Sequence, residues 1–152
     1  MSDDLLSHRC YVDTNVFIYL FDSMSDRKRE IAAGIYRSLL RSNQGCTSLL
    51  VVSEWRNVMT RKYASVIPAR MRMDFLRLFE AWSPATITLS TILKAEALTA
   101  NYSLSPFDSL HVQSALDQTC RYFLSEDMQD GLVIENQLEI VNPFATRRRL
   151  GA

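Results

Sequence analysis

Glycine and proline are scarce in this 152-residue chain, with four of each, and no apolar run approaches the roughly 18 residues of a membrane-spanning helix. The low glycine and proline content excludes a collagenous or low-complexity protein. The absence of a long apolar run predicts that no segment enters a membrane. The N-terminal residues are acidic where a secretory signal would be basic, so we expect a cytoplasmic protein. The length fits a single domain, expected over residues 1–146, with a basic tail at 147–152 that we expect to be disordered.

Cysteine is also scarce, with three residues at Cys10, Cys46 and Cys120. Their odd number and wide spacing argue against a disulfide framework, and no cysteine and histidine pair has the spacing of a zinc site. We therefore interpret the three thiols as small buried side chains that stay reduced.

Short apolar runs alternate with longer amphipathic stretches, which predicts an α/β protein with helices on both faces of a parallel sheet. Asp26 and Ser90 are the predicted N-caps of two of the helices. The predicted strands cover 10–12, 46–47, 86–89, 122–124 and 138–141, and the predicted helices cover 14–21, 26–42, 48–63, 68–82, 90–102 and 105–118. In such a sheet, ligands bind beyond the carboxyl ends of the strands, so polar residues that follow strands are the candidates for a site.

Four carboxylates from distant segments are predicted to meet at that edge of the sheet. Asp13 directly follows the first strand, and Asp127 follows the strand at 122–124 after two residues. Glu54 lies two turns into the helix after the second strand, and Asp108 lies in the first turn of the helix at 105–118. Carboxylates that meet repel one another unless a cation is present, and Mg²⁺ prefers oxygen ligands. The pattern therefore predicts one or two Mg²⁺ ions, with Mn²⁺ as the alternative metal.

Each of these residues also has a structural explanation when it is considered alone. Asp13 could cap the first helix, Asp108 could complement a helix dipole, and Glu54 could be a solvated side chain. The acidic residues at 125–131 lie in a polar turn, where aspartate is common. His111, three residues after Asp108, is interpreted as a core histidine rather than a catalytic one. The combination of the carboxylates, rather than any single residue, indicates a metal site.

Four motifs occur in order along nearly the whole chain, and a fifth segment closes it. The motifs are YVDTNVFIY at 11–19, TSLLVVSEW at 47–55, SPFDSLHVQSA at 105–115 and FLSEDMQDG at 123–131, and the closing segment is IVNPF at 140–144. Together they resemble the PIN-domain family, and in particular the toxin ribonucleases of VapBC-type toxin–antitoxin pairs. The resemblance implies a three-layer α/β/α sandwich around a central parallel sheet of about five strands.

The resemblance also implies which residues form the site. By this resemblance the catalytic and metal-binding carboxylates are Asp13, Glu54, Asp108 and Asp127. Asn15 would help to order Asp13, and Ser125 would support Asp127. Asp130 stands three residues after Asp127 and remains an alternative for the fourth acidic position.

The implied activity is Mg²⁺- or Mn²⁺-dependent hydrolysis of RNA phosphodiester bonds by a toxin that inhibits translation. The implied partners are the RNA substrate, a cognate antitoxin protein and a second copy of the chain, and no membrane is involved. The alternative from a different class is a non-catalytic PIN-like module that binds RNA or another protein. Acidic residues at all four positions favour the enzyme over the module.

The charge of the chain is segregated, although 17 basic and 17 acidic residues leave it neutral. Residues 1–26 carry a net charge of −4, residues 27–77 carry +8 and residues 78–146 carry −7. The basic segment at 27–77 can bind phosphates locally even when the net charge of the whole chain is zero. The candidate RNA contacts within it are Arg27, Lys28, Arg29, Arg61 and Lys62.

Overall fold

The computed structural model describes residues 4–145, and the predicted tail at 147–152 lies outside them. The strands are β1 (Cys10–Val12), β2 (Gly45–Cys46), β3 (Tyr122–Leu124), β4 (Val133–Ile134) and β5 (Leu138–Val141). The helices are α1 (Thr14–Tyr19), α2 (Asp26–Ser42), α3 (Leu49–Arg61), α4 (Ala69–Leu78), α5 (Leu89–Tyr102) and α6 (Pro106–Asp117). Short 3₁₀ helices cover Leu5–Ser7 and Phe79–Trp82.

The strands form one sheet in the order β2-β1-β3-β5-β4. Strands β2, β1, β3 and β5 are parallel, and β4 is antiparallel to β5 at the edge. Every residue of β1 and β3 is buried, as a central strand with helices on both faces requires. The architecture is therefore the predicted α/β/α fold, with a five-stranded sheet that is mostly rather than wholly parallel.

One predicted strand, at 86–89, is wrong. Thr88 is instead the N-cap of α5, where its hydroxyl accepts a hydrogen bond from the Thr91 N–H and the Thr91 hydroxyl accepts one from the Thr88 N–H, both at 3.2 Å. This reciprocal capping box uses β-branched threonines that local propensity assigned to a strand. The fifth strand is the two-residue β4, which is too short to give a periodic signal.

Other boundaries moved by small amounts. Ser25, rather than Asp26, is the N-cap of α2, since its hydroxyl accepts a hydrogen bond from the Lys28 N–H. The predicted helix at 68–82 is α4 followed by a separate 3₁₀ helix. The three cysteines are buried and free, as interpreted from their spacing. Among residues 4–145, none of the helices combines the length and the apolar character that a membrane span requires.

Candidate active site

The site begins where β1 and β3 end side by side. These strands pair in parallel with Val12 opposite Leu124, so the residues that follow them emerge together. Asp13 follows β1 and caps α1, where its carboxylate accepts a hydrogen bond from the Thr14 N–H at 2.8 Å. Ser125 follows β3, and its hydroxyl donates to the other Asp13 oxygen at 2.7 Å. The strand register therefore fixes both oxygens of a carboxylate that is only 6% exposed.

Asn15 connects this carboxylate to the loop after β3. Its side-chain amide donates to the Ser125 hydroxyl at 3.0 Å and to the Asp127 carboxylate at 3.1 Å. Its carbonyl oxygen accepts a hydrogen bond from the Glu126 N–H at 3.3 Å. A third contact joins the Asn15 amide to Asp13 at 3.4 Å. Asn15 thus holds the two predicted carboxylates in one network, from a position three residues after the end of β1.

The two candidates for the fourth acidic position occupy different surroundings. Asp127 contacts Asn15, and its N–H donates to Ser125 at 3.1 Å. The Asp130 carboxylate instead accepts a hydrogen bond from the Asn142 N–H at 2.8 Å, at the end of β5. Asp127 therefore contacts the residues that hold Asp13, while Asp130 ties its loop to the end of β5.

Glu54 reaches the site from α3 and is held at both carboxylate oxygens. One oxygen lies 2.5 Å from Nε2 of His111, and the other accepts a hydrogen bond from the Thr14 hydroxyl at 3.1 Å. The same His111 nitrogen lies 3.9 Å from an Asp13 oxygen. Asp108 stands one helical turn before His111 on α6, and its N–H donates to the capping hydroxyl of Ser105. The carboxylates of Asp13, before α1, and Glu54, on α3, therefore lie 3.9 Å and 2.5 Å from one histidine of α6.

His111 is buried, as interpreted from the sequence, but it also contacts the carboxylates. It is 3% exposed, and its second ring nitrogen lies 2.9 Å from the Tyr11 hydroxyl. Its spacing from Asp108 puts both residues on one helix face, which is the signal in the sequence that could have linked His111 to the site. What the spacing could not show is that α3 delivers Glu54 to the same ring.

The site is electrostatically unfavourable for its own carboxylates. Burial raises the pKa of Asp13 above its ordinary value, and the opposing effects of His111 and the Ser125 hydrogen bond do not cancel that rise. For His111, burial lowers the pKa, but the hydrogen bond to Glu54 and the negative charges of Asp13, Glu54 and Asp108 outweigh it, so the net shift is upward. Burial thus disfavours the charged form of Asp13, and the upward shift of His111 reflects the carboxylates around it; a bound cation would relieve both.

The residue types fit a hard divalent cation. The predicted donors are carboxylate oxygens from four segments, which is the ligand chemistry that Mg²⁺ and Mn²⁺ prefer. Within residues 4–145, no three His, Cys, Asp or Glu side chains are grouped in a ready-made metal centre. In this arrangement Glu54 is occupied by His111 and Thr14, so the donor chemistry, rather than a completed coordination shell, supports a metal.

The basic candidates at the start of α2 contact the protein itself. Lys28 forms an ion pair with Glu126 at 2.7 Å and donates to the Tyr19 hydroxyl at 3.1 Å, and that hydroxyl also donates to Glu126. Arg27 donates to the backbone carbonyl of Phe144 at 3.0 Å. The Lys28 contacts tie α2 to the loop that carries Asp127, and the Arg27 contact ties it to the segment after β5, structural roles that the charge pattern did not reveal.

The remaining basic candidates lie further along. Arg29 forms an ion pair with Asp26 within α2 at 2.6 Å. Arg61 and Lys62 are exposed at the end of α3, the helix that carries Glu54. The Lys62 ammonium lies 5.7 Å from the ring centroid of Tyr63. Arg61 and Lys62 therefore present exposed positive charge on an element that also contributes to the site.

Comparisons with known proteins agree with this geometry. The PIN domain family model matches residues 10–129. Among solved structures, a chain of a toxin–antitoxin complex from Klebsiella pneumoniae superposes with a TM-score of 0.62 and 18% sequence identity. The match covers 88% of this chain and 97% of that chain, and at this identity it concerns the fold. None of the curated proteins gives a significant match.

Proposed function

The chain belongs to the PIN-domain family, and on that basis we propose that it is a divalent-metal-dependent endoribonuclease, the toxin of a toxin–antitoxin pair that inhibits translation. PIN domains are generally nucleases, which supports hydrolysis of a nucleic acid. The observation that carries the proposal is the network in which Asn15, Ser125 and His111 join the carboxylates of Asp13, Glu54 and Asp127 from three separate segments, while the negative charge of Asp108 acts on His111 from one helical turn away.

Asp13, Glu54, Asp108 and Asp127 would hold one or two Mg²⁺ or Mn²⁺ ions. When bound, such an ion supplies neutralising charge to a scissile phosphate and lowers the pKa of a water for attack. The protein's own part is to fix the donors before substrate arrives. Ser125 and the Thr14 N–H hold Asp13, while Asn15 holds Asp127. Pre-set donors avoid the entropy cost of gathering them during the reaction.

Substrate contact is proposed for the basic middle of the chain. Arg61 and Lys62 are exposed on the helix that carries Glu54, so they are suited to contact phosphates of RNA next to the site. Arg27, Lys28 and Arg29 have acceptors within the protein, and we assign them a smaller share of RNA binding.

An antitoxin protein is the proposed partner that controls the activity. The resemblance of the four motifs supports this assignment, and the similar fold from Klebsiella pneumoniae belongs to a toxin–antitoxin complex. A small protein bound over the carboxylates would keep RNA from the site.

A second copy of the chain is the proposed occupant of an exposed apolar face on α5. Leu89, Ile92 and Leu93 are 70%, 47% and 66% exposed there. If two α5 helices pack antiparallel with Leu93 opposite Ala97, then Lys94 of each copy, an exposed side chain 3.7 Å from Asp117 of its own chain, lies opposite Glu96 of the other. A two-fold axis would therefore pair a large side chain with a small one and a positive charge with a negative one.

The proposed activity is tested by an Asp13→Asn variant. Purified wild-type protein with Mg²⁺ or Mn²⁺ is expected to cleave RNA and to leave ends that sequencing can map. Asp13→Asn should reduce cleavage to the level of wild-type protein in a metal chelator, while its circular dichroism stays unchanged. Asp74→Asn makes the same chemical change on the exposed face of α4 and should cleave like wild type.

Two outcomes would contradict the proposal. Full activity of Asp13→Asn would remove the proposed site. Absence of both cleavage and saturable Mn²⁺ binding in the wild-type protein would favour the non-catalytic module instead.

A further inference from the structure

A continuous series of polar side chains runs through the core behind the candidate active site. The Ser48 hydroxyl lies 2.8 Å from the Tyr11 hydroxyl, which lies 2.9 Å from Nδ1 of His111. Nε2 of His111 lies 2.5 Å from Glu54. Ser48, Tyr11 and His111 are at most 3% exposed, so their hydrogen bonds are made within the protein. The series connects the start of α3, strand β1, helix α6 and back to α3.

An ionised Glu54 carboxylate assigns one hydrogen position in the series. A carboxylate carries no hydrogen, so the 2.5 Å contact requires the His111 Nε2 to be the donor to Glu54. The other ring nitrogen faces a hydroxyl, which can either donate or accept, and Ser48 can complement either direction. With a donating Nε2, a neutral ring accepts the Tyr11 hydroxyl hydrogen at Nδ1, whereas a protonated ring donates to Tyr11 there, and Ser48 complements either case.

Packing fixes the ring from which this hydrogen is donated. Tyr11 stacks on Phe123 of the neighbouring strand, with ring centroids 4.9 Å apart and an interplanar angle of 16°. His111 then meets Tyr11 at an angle of 65° with a centroid distance of 6.0 Å. A ring held by a central strand has few alternative rotamers, so it can hold a partner in place.

We propose that His111 is a positioning residue, which Tyr11 and Ser48 hold from behind and which fixes the Glu54 carboxylate beside Asp13. The role of Glu54 as a metal ligand rests on the proposed function. Its positioning by His111 is a property of the metal-free protein. Nothing in the four motifs requires a histidine at this place.

Two effects oppose a fixed position of the Glu54 carboxylate beside Asp13. The Glu54 side chain is 37% exposed on a helix, and fixing such a side chain costs rotamer entropy. It also carries the same charge as Asp13, which repels it. His111 supplies a donor 2.5 Å from Glu54 and 3.9 Å from Asp13, so it opposes both effects from one side chain.

Three variants separate positioning from packing. His111→Leu removes the donor to Glu54, and His111→Gln keeps an N–H donor on a side chain of similar reach. Tyr11→Phe removes one hydroxyl while it keeps the ring that stacks on Phe123. The matched control is His8→Leu, which changes the other histidine of the chain at a distance from the site. Thermal unfolding of each variant establishes that it is folded.

The first measurement uses the metal-free protein. In ¹⁵N–¹H NMR spectra of the histidine rings, Glu54→Gln is expected to shift the Nε2 resonance of His111 and to leave that of His8 unchanged. A His111 resonance that does not respond to Glu54→Gln would overturn the positioning, whether or not the protein is a nuclease.

The second measurement is Mn²⁺ affinity by isothermal titration calorimetry, with RNA cleavage in parallel. His111→Leu is expected to weaken Mn²⁺ binding about 10- to 100-fold, as removal of a residue that orients a ligand typically does. Tyr11→Phe should weaken it less, and His111→Gln should recover most of the wild-type affinity. In cleavage, kcat should fall with little change in KM for RNA. Wild-type affinity in a folded His111→Leu protein would overturn the inference.

The two proposals can fail separately. If the wild-type protein neither binds Mn²⁺ nor cleaves RNA, the proposed function fails, while the NMR comparison still decides whether His111 holds Glu54. If wild type is active but neither the NMR shift nor the loss of affinity is seen, only the positioning role is wrong.

Discussion

Asp13 shows how much the site depends on a single side chain in an unfavourable place. Its carboxylate is 6% exposed and lies near a second carboxylate, and burial raises its pKa. Two hydrogen bonds, from Thr14 and Ser125, offset part of that cost. A buried carboxylate with a raised pKa is typical of functional sites, where residues needed for activity lower the stability of the fold.

The sign of that pKa shift gives a stability prediction for Asp13→Asn. A carboxyl group whose pKa is higher in the folded protein contributes its full stability below the unfolded value of about 4, and that stability is lost as pH rises through the folded pKa. Without divalent ions, Asp13→Asn should therefore melt at a higher temperature than wild type at pH 7, and the difference should vanish below pH about 4.

Thermal unfolding in a chelator between pH 3.5 and 8 measures this difference. Asp74→Asn, which removes an exposed charge of the same sign, is the control for a general effect of net charge. A wild-type protein that is the more stable of the two at pH 7 would show that the hydrogen bonds of the ionised Asp13 outweigh its burial.

At the scale of elements, the start of α5 shows where local pattern and tertiary context disagree. The β-branched segment at 86–89 predicts a strand, yet Thr88 and Thr91 cap a helix. The backbone at Ala85 already forms a bridge with Ser48 and accepts a hydrogen bond from Leu49, so the chain reaches the start of α3 and turns into α5 there. The direction of the chain at that point is set by α3, which lies far away in sequence.

The capping box predicts a difference between two neighbouring substitutions. Thr88→Ala should lower the free energy of unfolding by about 1 kcal/mol, because it removes an N-cap acceptor. Ser90→Ala, at the cap position predicted from sequence, should change it by no more than a few tenths of a kcal/mol, since Ser90 is exposed inside the helix. Urea unfolding of both variants makes the comparison, and equal losses would contradict the observed cap.

The loop after β3 is a second element whose surroundings were not foreseen. Glu126 occupies a variable place within the motif at 123–131, but it pairs with Lys28 and accepts a hydrogen bond from Tyr19. These contacts join the loop that carries Asp127 to α1 and α2. Basic residues at the start of a helix, such as Lys28, can therefore hold a loop of the protein itself as well as contact a substrate.

At the scale of the whole molecule, the basic segment at 27–77 is the proposed RNA-binding surface, and the exposed apolar face of α5 is the proposed dimer interface. The basic segment at 27–77 contains α2, α3 and α4, whereas α5 is apolar on the face that carries Leu93. Exposed apolar side chains that recur along one helix face are typical of an interface.

The proposed dimer predicts the effect of a charge at its centre. Leu93→Glu would place two like charges near the two-fold axis and should shift the protein from a dimer to a monomer of 17.4 kDa in size-exclusion chromatography with light scattering. Leu78→Glu makes the same change at an exposed site on α4 and should leave the mass unchanged. A monomeric wild type, or a dimer that survives Leu93→Glu, would contradict the assignment of α5.

Most of the fold was predictable because its elements are local. The strands at 10–12, 122–124 and 138–141 and the helix after Ser105 lie where periodicity and caps put them. Residues that directly follow β1 and β3 were predictable as site candidates for the same reason, since strand ends can be recognised without the rest of the chain. The two-residue β4 and the capped start of α5 were not predictable, because the first has no period and the second depends on a distant neighbour.

The sequence by itself therefore determined the α/β class and the family resemblance, and it proposed the acidic candidates for the site, because each depends on residue type and local spacing. The tertiary structure alone decided that Asp127 contacts Asn15 while Asp130 bonds the backbone after β5, and that Lys28 pairs with Glu126. It also decided that a buried histidine meets Glu54, since Tyr11, Glu54 and His111 come from three elements and only the folded chain brings their polar atoms within hydrogen-bond distance.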